Sequence, residues 1–245
     1  MLAPISTPSR SLQPKPAMPS TRAAVLAAFS THRCSAILRT QDAAAVGPAL
    51  DAAIAGGFRI IEVTMNTPGC LEHIAALSQR NAPGEALVVG AGTVLTVDQA
   101  KQAMAAGAQF LVSPVTDPQV ITFCRQHDLI AIPGTWTPTE MMTAHRAGAD
   151  LVKLFPGPAN GPDYVRALKG PLPFLRVFPT SGVDEANCRQ WLEAGAFGVG
   201  FVASLFDPDD MRAHRFDVIE ARARRMVAAV AAFATAAPPA AAAAH

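Results

Sequence analysis

The sequence predicts an α/β fold, a (β/α)8 TIM barrel with an N-terminal helix and disordered tails. Short, nearly continuous apolar runs recur along the 245 residues, as expected of parallel strands that are buried on both faces. Helix-like stretches separate these runs, and four of them end in a small tripeptide around a glycine. These glycines, Gly56, Gly107, Gly148 and Gly195, suit helix C-caps and lie about 40 to 50 residues apart, which leaves room for two βα units per interval. Eight such units form a barrel.

Eight apolar runs have the length expected of barrel strands. They lie at residues 35–39, 59–65, 86–94, 109–115, 129–136, 151–156, 174–182 and 197–202. Helix-starting signals follow several of them, with Thr96, Thr116, Thr137 and Asp184 in positions that suit a first turn. A doubly wound open sheet is the alternative, and the absence of a GxGxxG segment after any strand disfavours it.

Composition divides the chain into three segments. Residues 1–20 are rich in Pro and Ser, and no acidic residue precedes Asp42, which fits either an ordinary disordered N-terminus or an organelle transit segment. Residues 21–233 form the barrel domain, and residues 234–245 form an Ala- and Pro-rich tail outside the fold. We expect a cytoplasmic protein, or a plastid protein if the N-terminal segment is a transit peptide.

The charge balance excludes several classes of partner. Twenty Lys and Arg against 19 Asp and Glu give a net charge of +1, and 16% charged residues is below the roughly 25% of a typical soluble domain. We therefore expect neither a nucleic-acid nor a membrane partner. The four cysteines show no CxxC spacing and the six histidines no HxH or HxxxH spacing, which predicts reduced thiols, no metal site and no cofactor.

One of the four lysines lies within a predicted strand. Lys153 stands between Val152 and Leu154, so burial would remove its ammonium group from water and lower its pKa. A neutral amine can attack a carbonyl carbon and form a Schiff base. The alternative is a lysine whose side chain points outward and reaches solvent between the helices.

Glu62 is the only carboxylate with apolar strand residues on both sides. Burial would raise its pKa into the range of a general acid/base. The alternative is a structural salt bridge, for instance to Arg39 at the end of the first strand. A buried Lys, Glu and Arg on separate strands of one barrel favour a functional site over three unrelated ion pairs.

Small residues end three other predicted strands. They form the segments 90–93 (GAGT), 133–135 (PGT) and 179–182 (PTSG). Small side chains let backbone N–H groups approach an anionic ligand, so these ends are candidate phosphate or carboxylate sites. Each segment is also common as plain turn chemistry.

The same residues resemble the class I 2-keto-3-deoxy-6-phosphogluconate (KDPG) aldolases and the related 6-phosphogalactonate aldolases. The resemblance runs from about residue 36 to 206. It is carried by GFRIIEVTMNTP (57–68), VGAGTVL (89–95), FLVSP (110–114), IPGT (132–135) and LVKLFP (151–156). It implies a homotrimeric TIM barrel that cleaves a small 2-keto-3-deoxy sugar acid phosphate to pyruvate and glyceraldehyde 3-phosphate without a metal, as in the Entner-Doudoroff pathway.

The resemblance also implies roles for individual residues. Lys153 matches the Schiff-base lysine and Glu62 the general acid/base. Thr93 and Pro114 match residues that contact the pyruvyl portion, and Phe155 matches a residue that packs near the imine.

Two further positions bear on the substrate. Arg39 matches an arginine of the galactonate branch that faces the carboxylate or nearby hydroxyls. Asn66 stands where the gluconate enzymes often carry Arg, which is closer to the galactonate branch. Because other relatives also resemble this chain at this position, Asn66 does not determine which C4 epimer is the substrate.

The phosphate loops depart from the family pattern. The usual Gly-Gly-Val reads Ser181-Gly182-Val183, and the last strand's Gly-Ser element aligns with Val202-Ala203, so that Ser204 is displaced by one position. We expect Ser181, Gly182 and Ser204 to hold the distal phosphate. The altered loops leave two alternatives open, an unphosphorylated substrate such as 4-hydroxy-2-oxoglutarate and oxaloacetate decarboxylation by the same imine chemistry. A non-catalytic barrel that binds a ligand is a more distant alternative.

Overall fold

The computed structural model describes residues 21–80 and 86–236. The predicted disordered or transit segment 1–20 lies outside the described residues, as do residues 237–245 of the predicted tail 234–245. The first three residues of that tail instead continue the last helix, which ends at Ala236. The described helices are α1 (Arg22–His32), α2 (Ala43–Ala55), α3 (Cys70–Ser78), α4 (Val97–Ala105), α5 (Pro118–Gln126), α6 (Pro138–Ala147), α7 (Pro162–Lys169), α8 (Cys188–Glu193), α9 (Pro208–Arg212) and α10 (Phe216–Ala236). The strands are β1 (Cys34–Leu38), β2 (Ile60–Thr64), β3 (Val88–Gly92), β4 (Phe110–Val112), β5 (Ile130–Ile132), β6 (Gly134–Thr135), β7 (Val152–Leu154), β8 (Val177–Pro179) and β9 (Val199–Phe201).

The chain has an α/β fold built on parallel strands. Six of them form a sheet in the order β5-β4-β3-β2-β1-β9, and the others form a sheet in the order β6-β7-β8. Every strand pair within the described ranges is parallel. The two sheets meet where the N–H of Phe197, just before β9, donates to the carbonyl of Val177 in β8 at 2.8 Å.

Each predicted strand region contains a strand, but the strands are shorter and the fifth region contains two. Pro133 separates β5 from β6, because proline has no N–H to donate to a neighbouring strand. The first half of this region pairs with β4 and the second half with β7. The chain therefore changes neighbours at Pro133.

Three of the four glycines predicted to end helices have the left-handed backbone expected there. They are Gly107, Gly148 and Gly195, with φ between 97° and 101°. In the first unit the left-handed residue is Gly57, at φ 106°, because Gly56 continues the right-handed turn of α2 at φ −73°.

The predicted helix starts are correct for two helices and displaced for two others. Thr96 and Thr137 are the N-caps of α4 and α6, and their hydroxyls accept hydrogen bonds from backbone N–H groups of the first turn. Asp117 rather than Thr116 caps α5. The helix expected near Asp184 begins at Cys188, because Asp184 closes a turn with Asn187 first.

Alternate strand residues pack on opposite faces of the sheet. One face contributes a cluster at the amino ends of the strands, against Val25 and Phe29 of α1. This cluster includes Ile60, Val88, Phe110, Ile130, Leu151 and Phe178. The residues between them, such as Ile61 and Val152, join the larger core under the other helices. The first face is therefore the interior, and α1 covers it at one end.

No helix of the described ranges is long and apolar enough to cross a membrane.

Candidate active site

A cavity of about 430 Å³ opens at the carboxyl ends of β1, β7, β8 and β9. Several residues predicted for the site line it together. They are Arg39, Lys153, Phe155, Ser181, Gly182 and Ser204. The alternation of the strands explains this, since Lys153 lies two residues beyond Leu151 and so faces the same interior.

Lys153 lies inside the fold and does not extend between the helices. Its relative exposure is 5%, and its Nζ lies 5.2 Å from the centroid of the Phe155 ring. Burial lowers the pKa of Lys153, and the positive charge of Arg39 lowers it further, whereas the negative charge of Glu62 raises it. Desolvation is the largest of these effects. The environment therefore favours the neutral amine, the form that attacks a carbonyl.

Glu62 lies on β2 with its carboxyl group in the same interior, two residues beyond Ile60. It is 2% exposed, and its Oε1 is buried without a hydrogen-bond partner among the described residues. Burial raises the pKa of Glu62, and the charges of Lys153 and Arg39 lower it to a lesser extent. The described residues contain no ion pair within 4.0 Å between Glu62 and Arg39. The carboxyl group is thus free to exchange a proton with a ligand or a water molecule.

Gly92 on β3 makes room for this carboxyl group, a role the sequence did not reveal. A Cβ at Gly92 would overlap Glu62 Oε1 and lie 2.7 Å from its Cδ. The sequence indicates the segment 90–93 as a strand end where backbone N–H groups can approach an anion. In the structure, the group next to its second glycine is the protein's own Glu62 carboxyl.

Thr180 is a second residue that was not singled out for the site. It lines the cavity with Lys153, and its Oγ1 is buried without a hydrogen-bond partner among the described residues. Its signal in the sequence is the segment 179–182, whose small residues predict a phosphate or carboxylate site but do not single out the Thr180 hydroxyl. Its hydroxyl is available to a substrate oxygen.

Besides Glu62, three predicted site residues do not line this cavity. Thr93, at φ 57°, accepts a hydrogen bond from Arg39 Nη2 at 3.1 Å, which links the ends of β1 and β3. Asn66 is exposed, and its carbonyl accepts a hydrogen bond from Gln41 Nε2 at 3.2 Å. Pro114 is half-buried beside Gly134, where a Cβ would overlap the Pro114 carbonyl.

Two loops at the outer end of the cavity carry unpaired peptide N–H groups. The N–H groups of Gly182, Val183, Ala203 and Ser204 donate no hydrogen bond within the described part of the chain. Gly182 has φ 71°, a left-handed conformation that favours glycine. The Ser204 hydroxyl donates to the Val183 carbonyl at 2.7 Å and so joins the two loops.

A larger cavity of about 550 Å³ adjoins the first one. The two share Ile37, Arg39, Val202 and Ala203, but Lys153 does not line the larger cavity. Its further walls include the apolar side chains of Phe206 and Met211. The chemistry that Lys153 can perform therefore belongs to the smaller cavity.

The family described as KDPG and KHG aldolase matches residues 25–222 of the chain. The chain belongs to this aldolase family. The aldolase is 37% identical over 162 residues to the 2-dehydro-3-deoxy-6-phosphogalactonate aldolase of Escherichia coli, covering 66% of this chain and 76% of that protein. It is 34% identical over 181 residues to the KHG/KDPG aldolase of the same species, covering 74% and 84%.

Solved structures agree with the family. A structure described as native KDPGal superimposes with a TM-score of 0.74 at 32% identity, covering 82% of this aldolase and 96% of that chain. Members of the family are class I Schiff-base aldolases, and the chain is accordingly an aldehyde-lyase. Relatives of both names, KDPG and KDPGal aldolase, match it, so the comparisons do not distinguish the two epimers.

Proposed function

We propose that this aldolase cleaves KDPG to pyruvate and glyceraldehyde 3-phosphate through an imine on Lys153. The desolvated Lys153 amine at the wall of the cavity is the observation that supports this most directly. Its Nζ attacks C2 of the substrate, and loss of water gives a protonated imine. The electron pair of the C3–C4 bond then moves into the imine as the C4 hydroxyl loses its proton. Glyceraldehyde 3-phosphate leaves, the enamine takes a proton at C3, and hydrolysis releases pyruvate and the free amine.

Glu62 moves protons during carbinolamine formation and C3–C4 cleavage. Its unpartnered Oε1 supports this role, and so does the burial that raises its pKa, because a raised pKa makes the protonated carboxyl more available as a proton donor. Arg39 binds the substrate carboxylate or a nearby hydroxyl, and its hydrogen bond to Thr93 fixes its position. The family resemblance assigns Thr93 and Pro114 to the pyruvyl portion, although neither lines the cavity, and Phe155, which does line it, packs near the imine.

The distal phosphate binds at the outer loops. Unpaired peptide N–H groups at Gly182 and Ser204 supply donors there, and Ser181 lines the same wall. The Ser204 hydroxyl is already donated to Val183, so Ser204 contributes its peptide N–H. Comparing kcat/KM for KDPG and for 2-keto-3-deoxygluconate tests phosphate binding, since a working phosphate site gives the phosphorylated substrate a much higher kcat/KM.

Trapping with sodium borohydride in the presence of pyruvate tests the mechanism. We expect a covalent adduct on Lys153, located by mass spectrometry. Lys153→Met should give neither adduct nor turnover. Lys101→Met is the matched control, because Lys101 is exposed and paired with Asp98, and it should keep both. Absence of an adduct on Lys153 in the wild-type enzyme would exclude the imine mechanism.

The galactonate epimer is a second candidate substrate. Asn66, which is closer to the galactonate branch, motivates this candidate, while relatives of both names match the chain at similar identity, 37% for the galactonate enzyme and 41% for a gluconate enzyme. Measuring kcat/KM for the two C4 epimers side by side decides between them. Adding 4-hydroxy-2-oxoglutarate and oxaloacetate to the same series tests the unphosphorylated alternatives.

We also propose that the two sheets close into one (β/α)8 barrel and that the aldolase is a homotrimer. Chain continuity through Pro133 and the hydrogen bond from Phe197 to Val177 support closure of the barrel.

Large apolar side chains on three successive loops support assembly into the homotrimer, with exposures of 48% for Leu95, 52% for Val115 and 47% for Trp136. A cytoplasmic location stays a prediction.

A further inference from the structure

Asn187 lies behind the loop that we assign to phosphate binding. Its Nδ2 donates to the Gly182 carbonyl at 2.8 Å, and its Oδ1 accepts from the Asp184 N–H at 3.0 Å. Its own N–H donates to Asp184 Oδ1 at 2.8 Å. One residue therefore holds the peptide groups on both sides of Val183.

The orientation of one peptide group follows from these bonds. In a trans peptide the C=O and N–H groups point in opposite directions. Because the Gly182 carbonyl faces Asn187, the Val183 N–H of the same peptide points away from Asn187. Gly182 and Val183 line the cavity and Asn187 does not, so this N–H is directed to the cavity side. It donates no hydrogen bond within the described part of the chain.

The next peptide group is held in a complementary way. Its carbonyl, that of Val183, accepts from the Ser204 hydroxyl, and its N–H, that of Asp184, donates to Asn187. Both of its polar groups are thus satisfied within the protein. Only the first of the two peptides keeps a donor for a ligand.

We propose that Asn187 is a positioning residue that aims the Val183 N–H at the phosphate of the substrate. It does not touch the substrate and acts through the peptide between Gly182 and Val183. The inference rests on the proposed function, since it takes the substrate to be a phosphorylated 2-keto-3-deoxy sugar acid. It assigns phosphate discrimination to a residue outside the cavity.

Two substitutions separate the contributions of Asn187. Asn187→Ala removes both side-chain hydrogen bonds, whereas Asn187→Asp keeps an acceptor for the Asp184 N–H and removes the donor to Gly182. For both variants we expect KM for KDPG to rise about tenfold or more with kcat within about twofold, because a hydrogen bond to a charged group is weakened in binding. Activity on 2-keto-3-deoxygluconate should stay at the wild-type level.

Asn160 provides the matched controls. It is exposed, and its side chain has no hydrogen bond among the described residues. Asn160→Ala and Asn160→Asp should leave both substrates unaffected, and Asn160→Asp also shows what an added negative charge does by itself. If Asn187→Ala does not fold, Asn187→Asp carries the test, because its turn with Asp184 keeps its acceptor.

The ratio of kcat/KM for the two substrates decides the outcome. An equal loss on both substrates, or an unchanged ratio, would overturn the role of Asn187. A wild-type ratio near one would overturn it as well, since no phosphate would be recognised. Borohydride trapping with pyruvate in each variant keeps the two proposals apart, because loss of the positioned N–H leaves the adduct on Lys153 intact. No adduct in the wild-type enzyme would instead reject the proposed function.

Discussion

Two charges act on the Lys153 amine in opposite directions. The carboxyl of Glu62 raises the pKa of Lys153, and the guanidinium of Arg39 lowers it. Glu62→Gln should therefore lower the pKa of Lys153, and Arg39→Gln should raise it. Since the neutral amine is the reactive form, the reactivity of Lys153 should extend to lower pH in Glu62→Gln and retreat to higher pH in Arg39→Gln.

The measurement is the rate at which an amine-reactive reagent modifies Lys153 across a pH series, followed by mass spectrometry. This readout does not require turnover, which Glu62→Gln is expected to lose. Lys101 in the same samples is the internal control, because it is exposed on α4 and its ion-pair partner is Asp98, which neither substitution changes. Shifts of the same sign in the two variants would contradict the electrostatic account.

Gly92 tests how tightly the Glu62 carboxyl is held. Gly92→Ala places a Cβ on the Glu62 Oε1 position and should displace the carboxyl from the interior. We expect kcat to fall about a hundredfold, because a displacement of about 1 Å can have that effect on a positioned group. Gly47→Ala is the control, since its Cβ would lie 3.6 Å from the nearest atom and α2 would gain a better helix former. Full activity in Gly92→Ala would show that Glu62 needs no fixed position.

The sequence predicted the residues that carry charge into apolar strands and missed those whose role depends on neighbours. Glu62 and Lys153 stand out because burying a charge in an apolar strand costs free energy unless another group pairs with it. Gly92 matters only because Glu62 lies on the adjacent strand, and Thr180 only because its hydroxyl finds no partner. Such relations depend on strand register and on side-chain packing, which a single sequence does not display.

Helix α1 covers the interior at the end opposite to the cavity. Its Phe29 is fully buried and meets the rings of Phe110 and Phe178 edge-on, with centroids 5.2 and 5.7 Å away. Phe29→Ala should lower the free energy of unfolding by about 3–5 kcal/mol, because it leaves a cavity between these rings. Denaturant unfolding measures this. Phe174→Ala, at a ring that is 51% exposed, is the control and should change stability much less. Equal losses of stability in the two variants would argue against tight packing of α1 against the interior.

The presence and order of the strands and helices can be predicted from apolar runs and helix caps, whereas the residues at which they begin and end cannot. Parallel strands buried on both faces give runs that are easy to locate, and Thr96 and Thr137 begin helices where expected. The change of neighbours at Pro133 and the turn before α8 depend on hydrogen bonds between distant segments or across a loop. The turn between Asp184 and Asn187 delays the start of α8 to Cys188 and leaves Asn187 where its side chain donates to the Gly182 carbonyl.

At the scale of the whole molecule, the described residues include three exposed apolar side chains on loops at the carboxyl ends of neighbouring strands. Leu95 follows β3, Val115 follows β4 and Trp136 follows β6. These strands are neighbours, because β3 pairs with β4, β4 pairs with β5, and β5 continues through Pro133 into β6. Exposed apolar groups gathered at one place mark interaction surfaces, and we expect this one to bind further copies of the aldolase. The exposure of these residues is not visible in the sequence, where they look like strand ends.

If the proposed homotrimer forms through this surface, Trp136→Glu should shift the protein from trimer to monomer in sedimentation equilibrium, because a charge would lose water in the interface. The backbone N–H and carbonyl of Trp136 are held by Glu140 and Tyr164, so the loop itself should keep its shape. Phe174→Glu makes the same change at a similarly exposed ring before β8, at the opposite end of the strands, and should leave the mass unchanged. If Trp136→Glu stays trimeric, or if Phe174→Glu is the variant that dissociates, the copies must meet through another surface.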